Sequence, residues 1–480
     1  MEQIKNLKSL KELFKFSADV IFQTYNFFQH KVHFITCDSM IDEQLLNDVV
    51  ITRVQSLLNG LSSELLETKI MNELHIPKLQ KVKKKSDAIT LVYTGHVLLF
   101  FEEENILFSS NISKKPNRNP EETLMESVLK GPRDNFIEDI LINIALIRKR
   151  LPTNSFSVEN FEIGRRSKTK VSMLYMNDIT DKEIVKVIMK ELKQIDTDIV
   201  FSGDVLMGEM GKGTKIIPKH DYTGRPDYAL QALMRGRVII LVDGVSYAII
   251  VPINITLLFK TSEDYEYPII VNSVERLMRL IGIFISIFLP GFWIAISTFH
   301  QEQLPVYFLA SLVESRSGNV LPVALEMFLM LLMFELFYEA NLRLPTTIVG
   351  TLSIVGGLII GNAAVKVGLT SAPMLVVFAI SSIAGFTLVN QSFIAGAGII
   401  RFLIIFGSAI FGLFGFFISM FFFFLYIANV RVYGVPYLTI VSDLAWADIK
   451  PSFVRLSERG YSQRPKFLKP QDKTRTHEKR

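Results

Sequence analysis

The 480-residue sequence predicts a two-lobed α/β N-terminal domain, cytosolic, followed by an α-helical polytopic membrane domain of four long spans plus a re-entrant or distorted hairpin. Three observations carry that prediction. No apolar stretch of about 20 residues, the length of a spanning helix, precedes residue 280, whereas 280–299, 348–365, 372–394 and 402–428 are all long enough. Lys, Arg, Asp and Glu crowd into the first 280 residues and the tail, so the net charge of +5 averages two unlike regions. Helix-like and strand-like patterns alternate through the soluble half, as in an α/β layer. The expected parts are a variable first lobe over 1–115, a second lobe over 116–260, the membrane domain over 261–430 and a basic cytosolic tail over 431–480.

The opening residues, MEQIKNLKSLKELFKFS, carry charges in every turn and lack the apolar core of a secretory signal, so the N-terminal half is expected in the cytosol. Cys37 is the single cysteine; it rules out an intramolecular disulfide and a cysteine zinc cluster, and is read as a small buried hydrophobe. Helical patterns at 41–59 and 61–74 are followed by apolar runs over 88–101. Between them, KLQKVKKKSD (78–87) has five lysines in eight residues, a solvated loop or a membrane-surface contact. NISKKPNRNP (111–120) has the turn-rich composition of a linker.

The second lobe opens with a helix over 131–152, where Phe136, Ile140, Ile144 and Ile147 form the packing face, Asp134 caps the start and Pro152 closes the end. Strands are expected near 159–163, 170–176 and 198–201, and a helix at 181–194 with Thr180 as N-cap and Glu183 at capping-box spacing. Residues 237–259 are apolar enough to suggest a span. Asp243-Gly244 divides them into two β-branched runs, however, which reads as a type I′ hairpin of strands 237–242 and 245–251 ended by Pro252.

Arg276 and Arg279 before the first span, and eleven Lys or Arg against five Asp or Glu after residue 430, put both flanks on the cytosolic side and require an even number of crossings. Residues 304–313 and 321–338 then form either a re-entrant hairpin, favoured because the first is too short to cross, or a pair of distorted spans.

Neither catalysis, a cofactor, a metal nor a nucleic-acid partner is expected. GEMGKGTK (208–215) lacks the Gly-Lys-Ser/Thr order of a phosphate loop, His30 and His33 share a segment while the other histidines are scattered, and no nucleophile elbow or zinc-protease helix occurs. What remains is charge in lipid. Glu335, Glu339 and Arg343 follow at i, i+4, drifting about 40° per step along one face, with Glu326 on the opposite face. Ionised groups at membrane depth face protein or water, which makes Glu326 and Glu335 candidates for a conducting path; Glu339 and Arg343 join them or lie at an interface beside Asn341 and Pro345. Gly350, Ser353, Gly357, Gly361 and Ala364 form a small-residue stripe containing a G-x-x-x-G pair, and Ser408, Gly412, Gly415 and Ser419 repeat it in the last span, for packing within or between subunits.

Eight motifs in order then stand out: GPRDNFIEDILINIALIRKRLP, IGRRSKTKVSMLYM, GRPD, RGRVIILVDG, STFH, FELFYEANLRLP, IVGGLIIGNAAV and YGVPYL. Over roughly residues 128–440 they resemble the A subunit of spore germinant receptors, the GerA family of spore germination proteins. The resemblance implies a cytosolic two-lobed domain on a membrane domain in the inner membrane of a bacterial endospore. It also implies a transporter-like B subunit that binds the nutrient, a lipoprotein C subunit, and a homo-oligomer acting as the ion channel that starts germination.

Against the family pattern, this chain carries Leu331, Asn341, Asn362, Lys366, Val389 and Gly398 where Glu, Gly, Gln, Glu, Pro and Arg are usual. The expected function is therefore an A-subunit-like, nutrient-gated cation channel component, with the helix over 348–362, ending at Asn362, lining or abutting a pore. Its rivals are an auxiliary channel-like sporulation paralogue and a membrane scaffold clustering germination proteins. An independent transporter is disfavoured because no inverted repeat is evident.

Overall fold

The computed structural model describes residues 4, 6–28, 30–59, 67–114, 132, 134–213, 216–345, 350, 361–387, 390–438, 454–455 and 463–475. The first lobe is an antiparallel sheet of β1 (Val20–Phe27), β2 (His30–Cys37), β3 (Gln80–Lys81), β4 (His96–Phe101) and β5 (Ile106–Asn111), in the order β1-β2-β4-β5-β3. Helices α1 (Leu7–Leu13) and α4 (Lys85–Tyr93) cover one face, and α2 (Thr52–Asn59) and α3 (Glu67–Glu73) the other. Both faces are therefore buried: in β4, Val97, Leu99 and Phe101 join one core while Leu98 and Phe100 join the other. This explains the unbroken apolar run, since alternation disappears when a sheet is covered twice. The lysine-rich segment is not all loop, because Gln80–Lys81 pairs with β5 as the edge strand and Lys85 begins α4. Charged side chains suit an edge, where they block pairing with another chain. Beyond Ser113, which bridges to Ile41, most of the expected linker lies outside the described residues.

The second lobe repeats the plan with β6 (Phe156–Ile163), β7 (Thr169–Met176), β8 (Asp221–Thr223), β9 (Val238–Val242) and β10 (Ala248–Val251), ordered β6-β7-β9-β10-β8. Its helices are α5 (Ile140–Arg148), α6 (Lys182–Gln194), α7 (Gly203–Glu209), α8 (Pro226–Met234) and α9 (Ile255–Leu258). Four local expectations are corrected. Asp139, not Asp134, caps α5 by accepting from Leu141 N at 2.8 Å, because Phe136 N is already spent on Gly224 O and Asp134 binds Arg150. Asp181 caps α6, while the buried Thr180 hydroxyl accepts from Met176 N. Residues 198–201 form no strand; the Asp198 carbonyl accepts from the Arg166 and Ser167 amides, and the edge of the sheet is β8 instead. The β9–β10 hairpin exists, but its connection runs over 243–247, with Gly244 at φ +81°. Val245 N donates to Val242 O at 3.2 Å, so Asp243-Gly244 is the centre of the turn as expected, but only Gly244 takes a positive φ, so the turn is not type I′. Asp243 also donates N–H to Lys170 O and accepts from Ile140 N.

The lobes meet where Ser17 bridges in parallel to Val158 and where Arg148 of α5 binds Asp19, both side chains essentially fully buried. Cys37 is buried beside that pair; burial, then Asp19, push its thiol pKa far up, so it stays an unreactive protonated hydrophobe.

The helices that follow among the described residues are α10 (Ile269–Phe299), α11 (Val306–Arg316), α12 (Val323–Arg343), α13 (Gly361–Lys366), α14 (Ala372–Gly385) and α15 (Gln391–Asn429). Among the described residues, α10 and Ser392–Asn429 of α15 are the two long and apolar enough to cross a membrane. The expected span 372–394 is broken: α14 stops at Gly385, and Asn390 caps a new helix by accepting from Phe393 N at 2.9 Å. The expected span 402–428 is also not one rod. At Gly412 the backbone takes φ 60°, ψ −138°, and a Cβ added at Gly415 would lie 2.7 Å from the Gly407 carbonyl carbon. Eight residues of straight helix would separate these glycines by about 12 Å, so the chain turns back on itself.

Contacts with α10 confirm the reversal. Gly412 faces Phe299 and Gly291 faces Ile404 and Ser408, whereas Phe416 stacks near Phe288 and Phe292, and Phe424 near Phe284 and Phe288. One arm of α15 is thus parallel to α10 and the other antiparallel. Of the small-residue stripe, Ser408 packs on Gly291 of α10, Gly412 is the turn, and Gly415 and Ser419 lie against Gly407 of the facing arm, so these residues pack helices within the chain. Gly412→Ala is expected to cost about 1–3 kcal/mol, because the φ/ψ region is one that only glycine adopts without strain. Thermal stability of the detergent-solubilised protein tests this; an unchanged melting temperature contradicts the strained turn.

α14 runs antiparallel to α10, with Ser381 Oγ donating to Ser286 O at 3.0 Å and Met374 packed with Ile294. α12 runs parallel to α14, Phe334 meeting Phe378 and Tyr338 meeting Phe386. From Val323 on, the segment 321–338 belongs to one continuous 21-residue helix, α12, preceded by the 11-residue α11. Most of the expected span 348–365, including Ser353 and Gly357, lies outside the described residues. After α15 the chain forms a small hairpin of β11 (Arg431–Val432) and β12 (Val435–Pro436), and residues 463–475 return to the second lobe. Leu468 enters its core, Gln471 Nε2 donates to Asn177 O at 3.1 Å and Arg464 Nε to Met234 O at 3.0 Å. The described tail is a strap across that lobe.

Candidate functional site: charges among apolar helices

The helices leave the second lobe at a polar junction. Arg276 and Arg279 at the base of α10 converge on Asp264; burial pushes its carboxyl pKa up, but the two guanidinium groups outweigh this and hold it below the ordinary range. The Asn390 side-chain amide at the head of α15 donates to Asp221 Oδ1 of β8 at 2.7 Å. Asp221 is pushed up by burial, and the hydrogen bond from Asn390 opposes this only partly. Six residues on, Gly396 lies against the Ile216 backbone, leaving no space for a Cβ. The first arm of α15 is therefore fixed to the lobe at two points.

That arm carries Arg401 near its middle. Its Nη2 lies 3.2 Å from Glu335 Oε1 on α12, the Arg401 side chain 7% exposed and that of Glu335 44%. Gly398 lies beside the pair, the Glu335 oxygen being 3.8 Å from where its Cβ would be. Ser286, Ser382, Tyr338 and Gly385 complete a cavity of about 50 Å³ around the pair. Arg401 Nε and Ser382 Oγ are buried without a hydrogen-bond partner among the described residues. A polar space of this size takes a few waters.

Glu326 has a different environment. It is fully buried, accepting from Asn319 Nδ2 at 3.2 Å and Ser371 N at 3.3 Å, with Arg316 Nη2 3.7 Å away. It ties the α11–α12 turn to the start of α14, where a carboxylate suits the helix N-terminus. Glu339 and Arg343 form an exposed i, i+4 pair at 2.5 Å, away from Glu326. Gly350 and Asn362 are exposed and Gly361 is buried 3.8 Å from Leu375. Of the sequence-predicted residues the structure pairs Glu339 with Arg343, and it joins Glu335 to a residue not foreseen, Arg401. Its signal in the sequence is that it is the only basic residue within the apolar run 391–429, one position before the expected span 402–428. Likewise, His30, Glu103 and Glu104 meet in the first lobe although 73 residues separate His30 from Glu103 in sequence.

A two-lobed α/β unit clamped to a bundle of apolar helices, with an ion pair set between two of them, fits a membrane-associated protein. The family model described as "Bacillus/Clostridium GerA spore germination protein" matches residues 8–467. Spore germination protein XA of Bacillus anthracis is 37% identical over 445 residues, covering 92% of this chain and 90% of that protein. Spore germination protein A1 of Bacillus subtilis (strain 168) is 30% identical, covering 82% and 84%, and the uncharacterized membrane protein YfkQ of the same organism is 28% identical, covering 96% and 90%. The N-terminal domain of the A subunit of the Bacillus megaterium spore germinant receptor GerK3 superposes with a TM-score of 0.42 at 21% identity, covering 52% of this chain and 96% of that structure. The chain belongs to the GerA family of spore germination proteins, which is not a known enzyme family.

Proposed function

We propose that this protein is the A-subunit component of a nutrient-responsive spore germinant receptor and that, as an oligomer, it forms a cation channel whose opening begins germination. It would lie in the inner membrane of the endospore with both lobes and the tail facing the core, beside a nutrient-binding B subunit and a lipoprotein C subunit. The observation that carries the channel reading is the Glu335–Arg401 pair, set with a polar cavity between helices otherwise covered by apolar side chains. Intramembrane charges of this kind mark ion pathways.

Support for the topology comes from contact levels along α10. Asn390 and Gly282 lie at the lobe end, and Phe299 with Gly412 at the far end. On this reading α10 and the first arm of α15 lead outward, α12, α14 and the second arm lead back, and both flanks share one side. The pore-lining assignment of Gly350, Ser353, Gly357, Gly361 and Asn362 is kept as part of the proposal, with Glu335 shaping the field beside it.

Spores with and without the protein, its neighbouring subunits present, are exposed to single nutrients while potassium release is recorded. Prompt release that requires the protein is expected. Release unchanged for every nutrient would leave an auxiliary or scaffolding role.

A further inference from the structure

A cavity of about 470 Å³ lies where the chain leaves the last apolar helix, between α6, the β11–β12 hairpin and the strap. That volume falls in the range of small-molecule sites, which pair an apolar wall with a few placed polar groups. Gln471 N donates to Ile179 O at 2.9 Å, fixing the strap at the head of α6, and Lys212 Nζ meets Glu191 Oε1 at 2.9 Å near the far end. The lining runs from Asp181 to Glu191, about ten residues and so about 15 Å along the helix. Ile184, Val187, Val435 and Phe467 make its apolar wall.

Two polar atoms of the lining residues are left over. Tyr433 Oη and Glu191 Oε2 are buried and make no hydrogen bond among the described residues, and Tyr433 as a whole is 9% exposed. Burial, then the neighbouring Glu191 charge, push the tyrosine pKa far up, so the hydroxyl keeps its proton and stays a donor. The Lys212 ammonium is spent on the other Glu191 oxygen and lies 5.0 Å from the Tyr433 ring centroid. The hairpin turn holds Tyr433 at φ 51° and Gly434 at φ 78°, where glycine, asparagine and aspartate are the usual residues. A bulky residue kept in that region is an outlier of the sort that clusters at ligand clamps.

We propose that this cavity binds a small uncharged amphipathic molecule that carries one donor–acceptor group, an amide or an alcohol, on an apolar body. The group donates to Glu191 Oε2 and accepts from the Tyr433 hydroxyl. Charge argues against an ion. Asp181, Glu183 and Glu191 balance Lys212, Arg431 and Lys469 around the wall, so neither sign is favoured. A sugar is disfavoured because its further hydroxyls would lose water against apolar side chains. Occupancy ties the exit of α15 to α6 and the strap, whether or not the helices conduct.

The full chain in detergent is titrated by equilibrium dialysis with cinnamamide and with its charged counterparts, cinnamate and cinnamylamine. One saturable equivalent of cinnamamide is expected, with both ions bound at least about tenfold more weakly. Tyr433→Phe should weaken cinnamamide binding by about 2–10-fold and leave the ligand-free melting temperature unchanged or higher, because it removes an unpaired buried hydroxyl. Val187→Trp, at a position 43% exposed, should fill the cavity and abolish binding. Absence of saturable binding to the unaltered chain, equal binding of the three compounds, or binding that survives Val187→Trp overturns the site. A lower melting temperature for Tyr433→Phe with unchanged binding shows the hydroxyl to be structural and overturns it too. If Tyr433→Phe fails to fold, Val187→Trp decides.

Discussion

Replacing Arg148 by alanine is expected to destabilise the N-terminal half by about 3–5 kcal/mol, the range for removing one partner of a buried ion pair. Arg148 Nη2 and Nε bind the two Asp19 oxygens at 2.8 and 3.0 Å, and Nη1 donates to the Thr153 and Phe156 carbonyls at 3.1 and 3.0 Å. Its guanidinium lies 4.1 Å from the Tyr93 ring centroid and 4.4 Å from that of Phe156. Burial pushes the Tyr93 hydroxyl up to about 12, so the ring stays neutral while its hydroxyl shares a hydrogen bond with Ser17. One side chain thus serves residues of both lobes, and its removal strands the Asp19 carboxylate in a dry interface. Arg148→Lys should be nearly as damaging, since an ammonium cannot match the bidentate and stacked geometry. The double change Asp19→Leu with Arg148→Met should recover most of the loss. Urea unfolding of the detergent-solubilised chain, with hydrogen exchange at Ala18 and Val158, measures each. A loss below about 1 kcal/mol for Arg148→Ala would show that the lobes are held elsewhere.

Arg401→Ala is expected to lower both the amount of protein in spore membranes and the potassium released per molecule. The Glu335 carboxylate would lose its partner among apolar helices, where an ionised side chain costs about 2.5–3.5 kcal/mol. Glu335→Gln should spare protein level more than Arg401→Ala, because a neutral amide is left in place of a charge. The exchange Glu335→Arg with Arg401→Glu separates the roles. Restored protein level with altered release assigns the pair to conduction; restoration of both assigns it to packing; restoration of neither shows that the orientation of the pair matters. Immunoblots and ion release on the same spores provide both readings, and normal values for Arg401→Ala would remove the pair from the mechanism.

Much of the architecture was legible because burial leaves periodic marks. Strands β6, β7, β9 and β10, helix α6 and the start of the apolar half follow from pattern, whereas β1, β2 and β5 of the first lobe do not. Caps moved by one to five residues, as with Asp139 and Asp181, because several Asp and Thr side chains near each helix compete and tertiary hydrogen bonds choose among them. The reversal at Gly412 was hidden because glycine is ordinary in apolar helices, and only the facing of Gly407 and Gly415 distinguishes a turn from a packing face. Glu335 stands out as one of few charges in an apolar helix, but its partner lies 66 residues away, and no local period encodes that separation.

The strap over 463–475 also sets a schedule for biogenesis. Arg464 reaches Met234 across 230 residues and Gln471 reaches Asn177 across 294. At a synthesis rate of about 5–20 residues per second, the second lobe waits roughly 10–60 s for its final contacts. Throughout that interval the whole helical bundle is being made and inserted. The lobe is thus completed after the bundle, and a chain cut short before the strap would carry a finished bundle on an unfinished base.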